Sequence, residues 1–182
     1  MRTCTLILTG SLLCLMSLSA CNSNTSSEDC GAPFDPGSVS VESDDGNWRL
    51  MDGDRELIVF ETESTAERAV ATIQFYGLDQ KCAIGDDHQM EYWLADGQPP
   101  ARTEEAPPFN EDCMEHPVDE FYVEDEGDAG LITYPQGSRM LMVSDLNEAE
   151  RALNVLQENH LNEICYVGRP HAPMQYWLTS DA

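Results

Sequence analysis

The sequence predicts an α+β protein made of two tandem β-β-β-α-β-β repeats, each with one helix on a mainly antiparallel sheet and one disulfide. Three observations carry this. Ala66-Glu67-Arg68-Ala69 recurs 83 residues later as Ala149-Glu150-Arg151-Ala152, and the same offset carries Gln74 onto Gln157, Leu78 onto Leu161, Cys82 onto Cys165, Gly85 onto Gly168 and His88 onto His171. After a one-residue insertion, Tyr92-Trp93-Leu94 matches Tyr176-Trp177-Leu178. Agreement in both order and spacing marks a duplication. Second, each copy contains one apolar stripe at helical spacing between short β-type runs. Third, each copy places two cysteines 52 residues apart.

The elements follow in chain order. Val39-Ser40-Val41 and Asn47-Trp48-Arg49-Leu50 carry strand signals, and Asp52-Gly53 is a turn. Leu57-Ile58-Val59-Phe60 is a short buried strand by composition. Ser64 and Glu67 have capping-box spacing for a helix start, and Asn147 and Glu150 repeat it. Ala66, Ala69, Val70 and Ile73 then form one apolar face, as do Ala149, Ala152, Leu153 and Leu156. Gly77 is a natural helix stop because it tolerates the left-handed conformation. Lys81–Gly85 with Met90–Leu94, and Ile164–Gly168 with Met174–Leu178, close the copies as hairpins. Copy 1 spans 30–94 and copy 2 spans 111–182; the acidic, proline-rich stretch 95–110 is the linker between them.

Residues 1–20 combine a positive Arg2 with an apolar run from Leu6 to Leu18, too short to span a bilayer. They read as a signal peptide. The stretch Leu18-Ser19-Ala20-Cys21 resembles the lipobox of bacterial lipoproteins. That resemblance implies cleavage before Cys21, a diacylglycerol thioether on its sulfur and an acyl chain such as palmitate on the new amino terminus. Two or three chains hold a protein to a membrane where one does not. Residues 21–29 are the tether, and the absence of aspartate after Cys21 favours the outer membrane over the inner.

Cys4 and Cys14 leave with the signal. The remaining four, Cys30, Cys82, Cys113 and Cys165, allow three pairings. Duplicated units should carry duplicated bridges, which favours Cys30–Cys82 and Cys113–Cys165. An exported chain sits in an oxidising compartment, where such bonds persist. Units of about 65 residues bury a modest core and gain from a staple. No closely spaced cysteine pair suggests zinc or redox chemistry, and no metal or cofactor is expected.

The chain holds 34 acids against 9 bases, a net charge of -25, and Lys81 is its one lysine. Such a surface repels phosphate backbones, so nucleic acid is excluded as a partner. The acidic clusters Glu42–Asp45, Asp52–Asp54 and Glu124–Asp128 lack the EF-hand pattern and read as a solvated face. No G-x-S-x-G, H-E-x-x-H or P-loop appears, so no enzymatic activity is expected. Candidate binding residues are the repeated Trp93 and Trp177, the loop histidines His88 and His171, and Arg169. Adjacent Tyr-Trp rings point to opposite faces of a strand, so at least one ring of each pair belongs to the core.

The run Cys165-Tyr166-Val167-Gly168-Arg169-Pro170, ending in Tyr176-Trp177-Leu178, resembles a small module of exported bacterial proteins. Trp48 with Asp52-Gly53, the Ala66–Tyr76 helix and Cys82–Gly85 match it in copy 1. The likeness implies the fold and export, and it brings no catalytic residue. The strand followed by an Ala-Glu helix is also similar to the sporulation-related repeat that binds peptidoglycan. The function expected is a lipid-anchored envelope protein whose modules bind a protein or cell-wall glycan such as peptidoglycan. The alternatives are a regulator or inhibitor of a secreted enzyme, and a calcium-responsive acidic module.

Overall fold

The computed structural model describes residues 30–85 and 89–179. The signal peptide and the whole tether, Cys21 included, lie outside the described residues, and so does His88. In copy 1, β1 (Ser40–Asp44), β2 (Asn47–Asp52) and β3 (Arg55–Phe60) form an antiparallel meander, with Val41 opposite Leu50 and Trp48 opposite Phe60. Then come α1 (Glu63–Tyr76), β4 (Gln80–Ile84) and β5 (Met90–Leu94). Copy 2 adds β6 (Asp112–Glu115) before its own meander of β7 (Tyr122–Asp125), β8 (Gly130–Thr133) and β9 (Arg139–Val143), followed by α2 (Leu146–Glu158), β10 (Glu163–Val167) and β11 (Met174–Leu178). In copy 1 the counterpart of β6 is a single bridge from Cys30 to Cys82.

The helices start two residues earlier than the capping-box spacing suggested. Thr62 and Asp145 are the caps: Thr62 Oγ1 accepts from the Thr65 amide at 3.4 Å, and Asp145 Oδ1 from the Glu148 amide at 2.9 Å. Both caps hold extended backbone, and their oxygens satisfy amides that the first turn leaves open. Gly77 ends α1 at φ 64°, donating to the Ile73 carbonyl. The disulfides are Cys30–Cys82 and Cys113–Cys165, one within each copy. Cys113 and Cys165 lie directly opposite each other on β6 and β10.

The copies exchange their closing hairpins. Beside α1 and β1–β3, the first core takes Val167, Met174, Tyr176 and Leu178 from copy 2. Beside α2 and β7–β9, the second core takes Ile84, Met90, Tyr92 and Leu94 from copy 1. The hairpins meet at the centre, with β5 beside β11. Burying four large side chains per hairpin stabilises each exchange by on the order of 10 kcal/mol. Neither helix therefore rests mainly on its own copy's hairpin, and both faces of each hairpin are covered.

The linker is held in place rather than hanging free. Ala101 forms a bridge with Thr179, the Arg102 amide donates to the Thr179 carbonyl at 3.1 Å, and the Thr179 amide donates to the Pro100 carbonyl at 3.0 Å. The Arg102 guanidinium pairs with both Glu111 and Glu163. Glu111 Oε1 also accepts from Tyr76 at 2.7 Å and Tyr176 at 2.8 Å, one phenol from each copy. Burial first, then the Glu111 carboxylate, raises the pKa of both phenols, so both stay protonated donors. Arg102 also has its pKa raised, chiefly by its bond to Glu163.

Candidate functional site

Trp93 and Trp177 do not form a binding surface. They are 0% and 2% exposed, and their partners Tyr92 and Tyr176 are equally buried. The expectation of exposed tryptophans is corrected for a physical reason. Alternation sends Trp93 to the first core and Tyr92 to the second, and Tyr176 and Trp177 to the first and second in turn. A hairpin between two helix layers has no solvent face left for either ring. Trp93 Nε1 donates to the Gln175 carbonyl at 3.0 Å across the centre, whereas Trp177 Nε1 is buried with no partner among the described residues.

Two other candidates do come together. The β10–β11 loop of copy 2 leans on the start of α1 in copy 1 and leaves a cleft of about 270 Å³. Val59, Phe60, Pro170 and Pro173 give it apolar walls, and Asn47, Glu61, Thr62, Thr65, Arg169 and His171 give it polar ones. Gly168, at φ 87°, lets the loop approach this closely: a Cβ there would sit 2.7 Å from Thr65 Cγ2. Arg169 is 38% exposed at its side chain. Its Nε lies 3.1 Å from Asp112 Oδ2, and its guanidinium stacks 3.9 Å from the Tyr166 ring centroid. These contacts hold a cation at the mouth of the cleft. His171 is exposed beside it. Apolar walls with a few convergent polar groups are the usual make-up of a small binding site.

The equivalent place in the other copy is filled from within. Gly85 occupies the position of Gly168, and its amide donates to Glu148 Oε2 at 3.1 Å. Arg151 Nη2 lies 3.1 Å from the same oxygen. The Ser144 amide donates to Gln89 Oε1 at 3.0 Å, closing the gap further. Stepping back 83 residues from Glu148, Ser144 and Arg151 gives Thr65, Glu61 and Arg68. The open cleft has a threonine where the filled one has a carboxylate.

A half-buried histidine that the sequence did not single out sits in copy 2. His116 Nδ1 is 2.6 Å from the Tyr134 hydroxyl, and the ring is packed among Phe121, Tyr134 and Trp177. Burial lowers its pKa, which favours the neutral ring. Among the described residues, the one cluster of metal-ligating types is Glu111, Cys113 and Cys165, and both of its sulfurs are in the second disulfide. No described helix is long and apolar enough to cross a membrane.

A scan of protein-family models matches none, and neither the curated proteins nor the solved structures contain a match to this chain.

Proposed function

We propose that this chain is a non-enzymatic, lipid-anchored protein of the cell envelope that binds a protein or a cell-wall glycan. The observation that carries the reading is the cleft between the Gly168–Pro173 loop and the start of α1. It gathers Arg169 and His171 beside an apolar floor, on a chain whose other surfaces are dominated by acid. The resemblance of Leu18–Cys21 to a lipobox supports anchoring through Cys21, and the residue after it favours the outer membrane. The binding role passes from the buried tryptophans to this cleft. A competing role as a protease inhibitor would use the 86–89 or the 169–173 loop; residues 86–88 lie outside the described residues, and 169–171 with Pro173 line the cleft beside α1.

The test is site-specific photocrosslinking in native envelopes, with a photoreactive residue at position 171 and Cys21→Ala as the fractionation control. Capture of one protein or glycan species from position 171, reduced at least fivefold by Arg169→Ala, supports the reading. The Cys21→Ala protein should leave the membrane fraction. Equal capture from position 158, an exposed site on α2, would refute the binding surface.

A further inference from the structure

The hairpin exchange makes the two halves of the chain partners that are joined covalently through the linker, because each disulfide stays within its own copy. The linker has fixed and free parts. Up to Arg102 it is fastened: Ala101 bridges Thr179, and the Arg102 guanidinium pairs with Glu111 and Glu163. The chain is fastened again from Phe109, whose ring meets Phe75 of α1 edge-on at 5.9 Å, and from Glu111, which accepts from Tyr76. Between these points residues 103–106 are exposed. Thr103 Oγ1 donates to the Glu105 carbonyl at 2.9 Å, a bond internal to the stretch.

From this we infer that a second copy of this chain fits the seam between the halves, by reciprocal exchange of those halves. The first half of one chain, through Arg102, joins the second half of its neighbour, from Phe109 onward, and the reverse pair completes a two-fold dimer. Each lobe keeps both cores, the Arg102 pairs and the Phe75–Phe109 contact, and 103–108 alone takes a new path. Those six residues reach roughly 20 Å, enough to cross between two lobes set against each other. Pro107-Pro108 stiffens the stretch against the return that brings Arg102 back to Glu111, and short strained hinges invite exchange. In the dimer each cleft is completed by both chains: one supplies the Gly168–Pro173 loop and the other the start of α1. Two terms oppose the dimer. The closed chain holds its halves at an effective concentration in the mM range, and a net charge of -25 on each chain repels the other. Exchange therefore belongs to crowded chains and to salt that screens the charge.

This inference goes beyond the binding reading and does not depend on what the cleft takes. The full-length protein in detergent, carrying a protease site between 103 and 107, is prepared in two forms. One is unlabelled with a C-terminal tag, and the other is nitrogen-15-labelled without a tag. Both are unfolded in urea with the disulfides intact, mixed, and refolded together at high salt. The hinge is then cut and the tag captured under native conditions. Exchange places a labelled N-terminal fragment on the unlabelled tagged half, which mass spectrometry reads directly. Its share, counted above the level in chains refolded separately and mixed before the cut, should be near zero at about 5 μM chain. It should rise to at least about a quarter near 1 mM. Deleting residues 104–106 should bring the same rise at a roughly tenfold lower concentration, because the return is harder to make. A share that stays at the level of separately refolded chains near 1 mM would overturn the inference. So would a dimer that keeps its mass after the cut, because an exchanged dimer held by its hinges falls to the mass of one chain.

Discussion

Trp93 and Trp177 occupy equivalent positions but differ in one hydrogen bond, and phenylalanine at each position should expose that difference. Both substitutions replace a buried indole by a phenyl ring and leave a similar void. Trp93→Phe also deletes the bond from Nε1 to the Gln175 carbonyl, costing about 1 kcal/mol. Trp177→Phe removes a buried donor that has no partner among the described residues, and so relieves a penalty of about 1–3 kcal/mol. Trp93→Phe should therefore be the more destabilising by roughly 2–4 kcal/mol. For a chain of this length, that separates the melting temperatures by about 4–16 °C. Thermal and urea unfolding followed by far-UV circular dichroism measure it, with unchanged urea slopes confirming that the same surface unfolds. If Trp177→Phe costs as much as Trp93→Phe, the asymmetry is wrong. Alanine at either position should cost about 3–5 kcal/mol. An unchanged melting temperature in the alanine variants would return the tryptophans to the surface.

The remaining predictions concern the exchange and the half-buried His116. Both disulfides lie within a copy, so cutting the linker at an engineered protease site between 103 and 107 leaves no covalent link between halves. The cut protein should still elute at the mass of the intact chain and separate only in denaturant; separation under native conditions would refute the exchanged cores. His116 has a folded pKa below its unfolded value of about 6.5, so the unfolded chain takes the proton first. Its contribution to stability is complete above about pH 6.5 and falls as the pH drops below it. Urea midpoints at pH 7.5 and pH 5 should thus differ less in His116→Gln than in the parent, and an unchanged difference would refute the assignment.

Much of the fold was legible because a duplication states each element twice. The helices, the hairpins and the pairing of cysteines all follow from one offset of 83 residues. The exact helix starts were not legible, because Thr62 and Ser64, like Asp145 and Asn147, are all competent caps. The exchange of hairpins left no mark for the same reason that the repeat was visible. Two copies with matching apolar patterns offer each hairpin two nearly identical helices, and pattern alone does not choose between them. The burial of all four paired rings followed from that hidden choice. The cleft was half visible: Arg169 and His171 were candidates, but the pattern gave no sign that the start of α1 would face them. The mismatch between Thr65 and Glu148 becomes legible once the copies are aligned at their helix starts.

The exchange also bears on why a duplicated chain can hold a single open site. Two identical subunits related by a two-fold axis must present the same surface twice. Here the halves interlock as a symmetric dimer would, but each position can mutate alone. One loop site keeps Glu148 against Gly85 and is closed by its own chain, while the other carries Thr65 and stays open. A filled site adds a charge-assisted bond between a hairpin and the opposite helix, and so locks the exchange. An open site gives up that bond and keeps the cleft beside α1 accessible instead. A ligand at the cleft would then bind once per chain. On the anchored reading proposed above, any gain from multivalency would come from neighbouring chains rather than from two sites on one tether.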